Sequence, residues 1–135
     1  MRNSFRTPLI VEVMESGKKF KLVYPFTQKH RIKRGEWVIL EIPRGFVTDF
    51  ASIPRLARLI IPKLGRHTKA SVVHDYLYQY HNVNVHEADR TYYTYKRKVA
   101  DDLFLEGMID LGVRHWKANL MYYGVRAFGW LAWHK

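Results

Sequence analysis

The stretch TKASVVHDYLYQY, residues 68–80, places alanine, valine and leucine at the spacing of one helix face, and His74 shares that face. This pattern predicts a helix that begins at Thr68 or Lys69 and runs to about Tyr80. Because its neighbours on that face are apolar, the histidine is expected to point into the protein core.

Two polar residues accompany this histidine. Asp75 follows it directly, and Tyr78 lies one helical turn further on, so three side chains that form hydrogen bonds stand close together. A histidine in such company is either a structural hydrogen-bonding group or a catalytic one, and the spacing alone leaves both interpretations open.

A second helical pattern, from residue 87 or 88 to residue 111, carries Asp101 on an apolar stripe and is closed by Gly112. An aspartate that enters a protein core needs a partner, because an unpaired buried charge is too costly to keep. Two candidates are available, namely His74 and Arg97, which lies one turn earlier on the same helix. Either pairing would satisfy the carboxylate.

The stretch TDFASIP, residues 48–54, precedes a predicted short helix that ends before Pro62. Asp49 and Ser52 are residue types that cap exposed backbone N–H groups at helix starts, which explains both without any further function. The alternative is that Thr48 and these two side chains join the HDYLY motif in a single polar site.

Before residue 50 the pattern is typical of β structure, and after it helical patterns dominate. A hairpin with a turn at Ser16-Gly17 is predicted, followed by a further strand. The last helix is predicted to follow Gly112. The predicted segments are strands at 9–14, 20–24 and 37–42 with a short extension at 45–47, a loop or edge at 82–85, and a last helix at 115–133.

These segments predict an α+β fold. A small N-terminal antiparallel sheet of three to four strands should precede three to four helices. The chain of 135 residues has the size of one domain, which we expect to be β-rich over residues 1–50 and helical over residues 52–134.

Composition narrows the class of protein. Cysteine is absent, which excludes a disulfide framework and thiolate metal sites. No stretch resembles a cleaved secretory signal or a bilayer-spanning helix. The net charge of +11 is spread over both halves of the chain and attracts polyanions such as nucleic acid or anionic lipid.

The predicted last helix is apolar on more than one face. It serves either as a core helix or as an aromatic surface that contacts a partner subunit or an anionic membrane interface. Its apolar residues include Trp116, Leu120, Met121, Tyr123, Val125, Phe128, Trp130, Leu131 and Trp133.

Four blocks of the sequence resemble one known family. They are GFVTDFASIPR (45–55), HDYLY (74–78), RKVADDLF (97–104) and MYYGVRAFG (121–129). Over about residues 36–133 the chain resembles domain of unknown function 1353, which occurs mainly in phages and prophages. The resemblance implies a phage origin and leaves the activity open.

Residues 82–95 look like an insertion relative to that family. Either Asp89 or Asp101 is therefore the equivalent aspartate, and the apolar residues Phe104 and Met108 that follow favour Asp101.

A fainter resemblance is to secreted phospholipases A2, which share the order His-Asp-x-x-Tyr followed by a later aspartate. In those enzymes the histidine is the base and its neighbouring aspartate binds Ca²⁺. This chain lacks their disulfides and their glycine-rich calcium loop.

Three interpretations of the polar residues follow. As a catalytic cluster, His74, Asp75 and Asp101 perform acid–base chemistry. As a metal site, these three residues and Asp49 bind a divalent cation, for which carboxylates and a neutral imidazole are suitable ligands. The third interpretation is a purely structural or binding network, to which these residues contribute: Thr48, Asp49, Ser52, Tyr78 and Arg97.

We therefore expect a bacteriophage protein, and the favoured class is a virion structural or assembly component of a tail, connector or particle interior. Such a protein would contact other virion proteins or itself, in the virion or in the host cytoplasm. One alternative is a small metal-assisted hydrolase that acts on lipid or cell wall. Another is a basic accessory protein that binds nucleic acid or a host factor.

Overall fold

The structure is a computed structural model that describes residues 5, 7–31, 37–49, 64–84 and 92–134. Strands occupy most of the first part of the chain and helices most of the second. The elements are β1 (Val11–Val13), β2 (Phe20–Leu22), β3 (Phe26–Arg31), β4 (Trp37–Ile42), β5 (Val47–Thr48), α1 (Thr68–Gln79), β6 (Asn82–Asn84), β7 (Tyr92–Thr94), α2 (Arg97–Asp110), α3 (His115–Phe128) and α4 (Trp130–Trp133).

The predicted α+β fold is confirmed, and so is the N-terminal hairpin. Strands β1 and β2 pair antiparallel with Val11 opposite Leu22, and their turn contains Gly17 at φ +71°. Glycine suits this position because a Cβ atom is strained at positive φ. β5 pairs with the other edge of β2, so that Thr48 lies opposite Phe20. This pairing fixes the place of Thr48 relative to the helices.

β4 is confirmed where it was predicted, but its partner β3 was not predicted. β3 pairs with β4 along its whole length, from Phe26 opposite Ile42 to Arg31 opposite Trp37. Its inward-facing residues include Gln28 and the histidine two positions further on, both buried. Polar residues on the buried face hide the alternation of apolar and polar residues by which a strand is normally recognised.

The long helix predicted from residue 87 or 88 is wrong in its first part. Helix α2 begins at Arg97, and the residues before it form β7, which pairs with β6 in a small hairpin. The sequence of β7 is Tyr-Tyr-Thr, three residue types that favour strands over helices. The predicted C-terminal glycine is confirmed, because Gly112 has φ +86° and the amide of Val113 donates to the Met108 carbonyl.

Helix α1 is confirmed, whereas the predicted last helix is divided. It is regular over α3, is interrupted at Gly129 and resumes in the short α4. Beyond the interruption, the Trp133 ring meets Tyr78 of α1 edge-on at 5.1 Å and stacks on His81, just after the end of α1, at 3.6 Å. The predicted short helix after Ser52 lies outside the described residues.

The core lies between the strands and a stack in which α1 packs against α2 and α2 against α3. Its largest fully buried side chains are Leu22, Phe26, Leu40, Ile42, Leu77, Tyr95, Phe104, Met108 and Met121. None of the helices in the described part of the chain combines the length and the apolar character that crossing a membrane requires.

A buried histidine connects β3 to the segment between β7 and α2. His30 Nδ1 donates to the Arg31 carbonyl, and its Nε2 accepts a hydrogen bond from the Tyr95 hydroxyl at 2.7 Å. Burial lowers the pKa of His30, although the hydrogen bond to the Arg31 carbonyl acts in the opposite direction.

Since the folded protein binds a proton at His30 less readily than the unfolded chain, its stability should fall as pH drops below 6.5 towards the lower folded pKa. We predict that His30→Gln reduces this loss, as measured by urea unfolding at a series of pH values. His115→Gln, at an exposed position, should leave the loss unchanged. An unchanged pH dependence in His30→Gln would contradict this assignment.

Candidate functional site

The centre of the site is Asp101, which lies on α2 and is 0% exposed. Its Oδ1 accepts hydrogen bonds from the Tyr78 hydroxyl at 2.6 Å and from His74 Nε2 at 2.7 Å. Its Oδ2 accepts a hydrogen bond from Arg126 Nη1 at 2.8 Å and lies 3.5 Å from Arg97 Nη1. The predicted inward positions of the histidine and the aspartate are therefore observed, and both predicted partners of the aspartate contact it.

The surroundings of Asp101 keep it ionised. Burial by itself would raise the pKa of this carboxyl group, but hydrogen bonds from His74, Tyr78 and Arg126 outweigh burial and lower it. Burial and the hydrogen bond to Asp101 raise the pKa of Tyr78, so the phenol remains a donor. The network thus consists of an anion surrounded by donors from three helices.

An ionised partner determines the tautomer of His74. Because the Asp101 carboxylate only accepts, the proton of the neutral ring belongs on Nε2, and the basic lone pair belongs to Nδ1. The ring is held between the Tyr78 ring at a centroid distance of 4.2 Å and the Phe104 ring at 4.6 Å. His74 is 3% exposed, so both its orientation and its tautomer are set by contacts within the protein.

Arg97 connects the site to the end of α3. Its guanidinium donates to the carbonyl of Val125 at 3.1 Å and to that of Arg126 at 3.3 Å, in addition to its contact with Asp101. These acceptors lie near the end of the helix, where carbonyl groups begin to lose their intrahelical partners; the Val125 carbonyl also accepts from the Gly129 amide at 2.8 Å. Its predicted place in the network is therefore observed.

The TDFASIP and HDYLY motifs meet at Asp75. Thr48, at the end of β5, donates a short hydrogen bond from its Oγ1 to Asp75 Oδ2. This bond places the sheet edge beside the helix that carries His74. Asp49 is solvent-exposed directly after β5, and Ser52 lies outside the described residues.

The predicted cation role of Asp49, His74, Asp75 and Asp101 remains a prediction. In the described ranges of the chain, no three His, Asp or Glu side chains form a group that could hold a metal ion. Two of the four predicted ligands bond to each other, and Asp75 bonds to Thr48.

One residue of the network was not predicted, namely Arg126 on α3. The hydrogen bond to Asp101 raises the pKa of its guanidinium, so it is a permanent countercharge. A signal for it exists in the sequence, because it is the charged residue within the otherwise uncharged stretch 120–133 and directly follows the inward-facing Val125.

The neighbouring Asp102 belongs to a separate, more exposed group. It accepts hydrogen bonds from Lys98 Nζ at 2.8 Å and from the Tyr122 hydroxyl at 2.7 Å. Burial and the bond to Asp102 raise the pKa of Tyr122 to about 12. Asp102 is thus a natural comparison for the buried aspartate beside it.

Comparison with known proteins places this site within one family. Residues 20–125 match the family described as Protein of unknown function (DUF1353). The chain belongs to that family. The region that it shares with the DUF1353 family includes Thr48, His74, Asp75 and Asp101, whereas Arg126 follows directly after it.

A relative of this chain is known by sequence, but its name describes no activity. The chain is 36% identical over 90 residues to Uncharacterized protein y4jT of Sinorhizobium fredii (strain NBRC 101917 / NGR234). The match covers 65% of this chain and 23% of that protein, so the chain spans less than a quarter of the relative's length. No solved structure matches this member of the DUF1353 family.

We predict that Asp101→Asn lowers the free energy of unfolding by about 2–4 kcal/mol, because an amide cannot accept from all the donors around it and leaves two guanidinium groups without their anion. Asp102→Asn is the matched control, and its partly exposed ion pair should be worth less than about 1 kcal/mol. Chemical denaturation at neutral pH measures both.

The same pair of variants gives a pH signature. A carboxyl group with a lowered folded pKa stabilises the protein above its unfolded pKa of 3.8, and this stabilisation is lost as pH falls through the lower folded value. The difference between wild type and Asp101→Asn should therefore shrink below pH 3.8. A difference that stays constant through this range would contradict an ionised Asp101.

Gly129 provides a test of how tightly the site is enclosed. A Cβ atom at this position would lie 2.5 Å from the Val125 carbonyl oxygen and 2.6 Å from the Tyr78 hydroxyl. We predict that Gly129→Ala destabilises the protein by about 1–3 kcal/mol. Tyr78→Phe removes one of the two clashing atoms, so a double-mutant cycle monitored by thermal unfolding should be non-additive. Strict additivity would contradict the contact.

Proposed function

We propose that this protein is a small hydrolase in which His74 is the general base and Asp101 is the residue that positions it. The observation that carries the proposal is the 2.7 Å contact between His74 Nε2 and Asp101 Oδ1, with the Tyr78 hydroxyl on the same oxygen. A base oriented by a buried carboxylate is a recurrent arrangement in enzymes that activate water or a hydroxyl group.

The proposed reaction is the following acid–base cycle. His74 Nδ1 accepts a proton from water, and the hydroxide oxygen forms a bond to the carbonyl carbon of an acyl ester. The negative charge of Asp101 stabilises the imidazolium ring that results. When the tetrahedral intermediate collapses, the bond to the leaving alkoxide breaks, and that oxygen takes the proton back from Nδ1. One water is consumed, and an acid and an alcohol are released.

Asp75 is the second polar group beside this base. It follows His74 directly, and its carboxylate is oriented by Thr48, which ties the TDFASIP and HDYLY motifs together. The order His-Asp-x-x-Tyr and the later aspartate are what the chain has in common with secreted phospholipases A2. This similarity supports a hydrolytic role and suggests Asp75 as a ligand if a divalent cation participates.

The proposed substrates are acyl esters of lipid or cell-wall material, and the proposed setting is phage infection or lysis. The setting is supported by the phage and prophage context that the family resemblance implies. The net charge of +11 supports a polyanionic substrate surface, since a positive field concentrates such substrates near the protein. Both supports are independent of the geometry around Asp101.

The test is hydrolysis of a panel of fluorogenic acyl esters, phospholipid vesicles and purified cell-wall polymer, with and without a chelator. His74→Gln and Asp101→Asn should each lower kcat/KM by about 10²–10⁴-fold. Asp102→Asn and His115→Gln are matched controls outside the network and should retain activity. Circular dichroism and thermal unfolding of every variant identify losses that are caused by unfolding alone.

A measurement without turnover tests the base directly. Long-range ¹⁵N–¹H correlation spectra distinguish the two neutral tautomers of a histidine. His74 should carry its proton on Nε2, whereas His30 should carry it on Nδ1, because its Nδ1 donates to a carbonyl. A proton on Nδ1 of His74, or full activity in both active-site variants, would overturn the proposal.

A virion structural or assembly component is the second candidate. It is favoured by the burial of the network, since Asp101 is fully enclosed and its donors would equally well serve only to join three helices. This candidate expects no hydrolysis of any substrate in the panel. If the protein is a virion component, His74→Gln should lower its stability and its incorporation into particles to the same extent. The particles that form should then function normally.

A further inference from the structure

Helices α3 and α4 carry several exposed apolar side chains. On α3, Trp116, Leu120 and Tyr123 recur at the spacing of a single helix face, and further exposed apolar residues follow at the end of α3 and in α4. We call this set the aromatic face; its members are Trp116, Leu120, Tyr123, Phe128, Trp130 and Leu131.

The opposite side of α3 is already occupied by the core. Ala118, Met121 and Val125 are buried there, on the side that packs against α2. A surface helix normally shows charged and polar residues opposite its buried stripe. Here Trp116 is 52% exposed and Tyr123 is 67% exposed on the side opposite the buried stripe, so the helix has a second apolar side. An apolar patch of this kind marks a surface that binds something.

The charges around the aromatic face select the kind of partner. Residues 112–135 contain four Lys or Arg residues and no Asp or Glu. Arg114 is exposed at the start of α3, and Lys117 Nζ lies 5.5 Å from the centre of the Trp116 ring. Because Arg126 is paired with Asp101, the described cations that flank the face are Arg114 and Lys117, and residues 112–135 contribute no anion.

We propose that the aromatic face is a docking surface for an anionic phospholipid bilayer. Amphipathic helices that combine Trp, Phe and Leu with Lys and Arg lie in the plane of the membrane interface and bury their apolar side at the level of the headgroups. Tryptophan and tyrosine favour this depth, and basic residues near the surface are attracted by anionic lipid.

A second copy of the chain fits the same surface less well. Two copies that met through their aromatic faces would bring cations against cations, with no acidic side chain in residues 112–135 to offset the repulsion. An acidic protein partner has the required charge and is distinguished by the experiment below. The proposal rests on this surface alone and does not depend on hydrolysis by His74.

The experiment is flotation with vesicles made from dialkyl ether phosphatidylglycerol, whose chains contain no ester bond, against vesicles of dialkyl ether phosphatidylcholine. Binding is therefore measured without any turnover. Wild-type protein should float with the anionic vesicles and should be released by high salt. Failure to bind anionic vesicles would overturn the proposal, whatever the outcome of the hydrolysis assays.

Two double variants separate the aromatic face from general surface hydrophobicity. Phe128→Ser with Leu131→Ser should weaken the partitioning by at least about tenfold. Val13→Ser with Tyr24→Ser is the matched control, because these residues are exposed to a similar degree on the β-rich part of the chain. Equal losses in both double variants would overturn the proposal.

A charge pair completes the test. Arg114→Gln with Lys117→Gln should weaken binding to anionic vesicles by several-fold, whereas Lys18→Gln with Lys19→Gln, in the β1–β2 turn region, should have a smaller effect. Sedimentation velocity on the same proteins is the check for a protein interface. An oligomer that is lost in Phe128→Ser with Leu131→Ser, together with no vesicle binding, would assign the face to protein contacts instead.

Discussion

The buried carboxylate of Asp101 is the constraint on which the helical half of this protein depends. A charge that is removed from water must be matched by donors at short range, because an unpaired ion in a core costs several kcal/mol. The donors come from α1 through His74 and Tyr78, from α2 through Arg97, and from α3 through Arg126. Three helices are thereby held in one register, since a shift of any of them leaves a donor or an acceptor unpaired.

The network is selective in a way that apolar packing is not. Phe104 and Met108 fill the core next to Asp101, but apolar side chains tolerate rotation and sliding at modest cost. Hydrogen bonds of 2.6–2.8 Å to both oxygens of one carboxylate do not. A catalytic base must be positioned with the same accuracy, so the geometry of the network is compatible with a structural role and with a catalytic role. The two roles differ in whether His74 Nδ1 accepts a proton from a substrate or from water.

The residues that the sequence predicted best are those whose role follows from helix periodicity. His74, Tyr78 and Asp101 stand on apolar stripes, and a polar group on such a stripe must find a buried partner. Arg97 was reached by the same argument, because it lies one turn from Asp101 on α2. These inferences need only the local spacing of residues, which survives folding unchanged.

The misses have a different origin. β3 was not predicted because Gln28 and His30 occupy its buried face, and their partners are set by tertiary structure. The start of α2 was placed nine or ten residues too early, because strand pairing of β7 with β6 determines the structure just before Arg97. Arg126 was not predicted, since its partner lies on another helix and 25 residues earlier in the chain.

Helix α3 contributes both to the buried network around Asp101 and to the aromatic face. One side of the helix delivers Arg126 to the carboxylate of Asp101, and the outer side exposes Trp116 and Tyr123 to solvent. The end of this helix is held by Arg97, and Gly129 leaves room for the Tyr78 ring, which Trp133 meets edge-on. The burial of the site and the exposure of the aromatic face therefore both depend on the position of α3. A substitution that shifts α3 is expected to alter both.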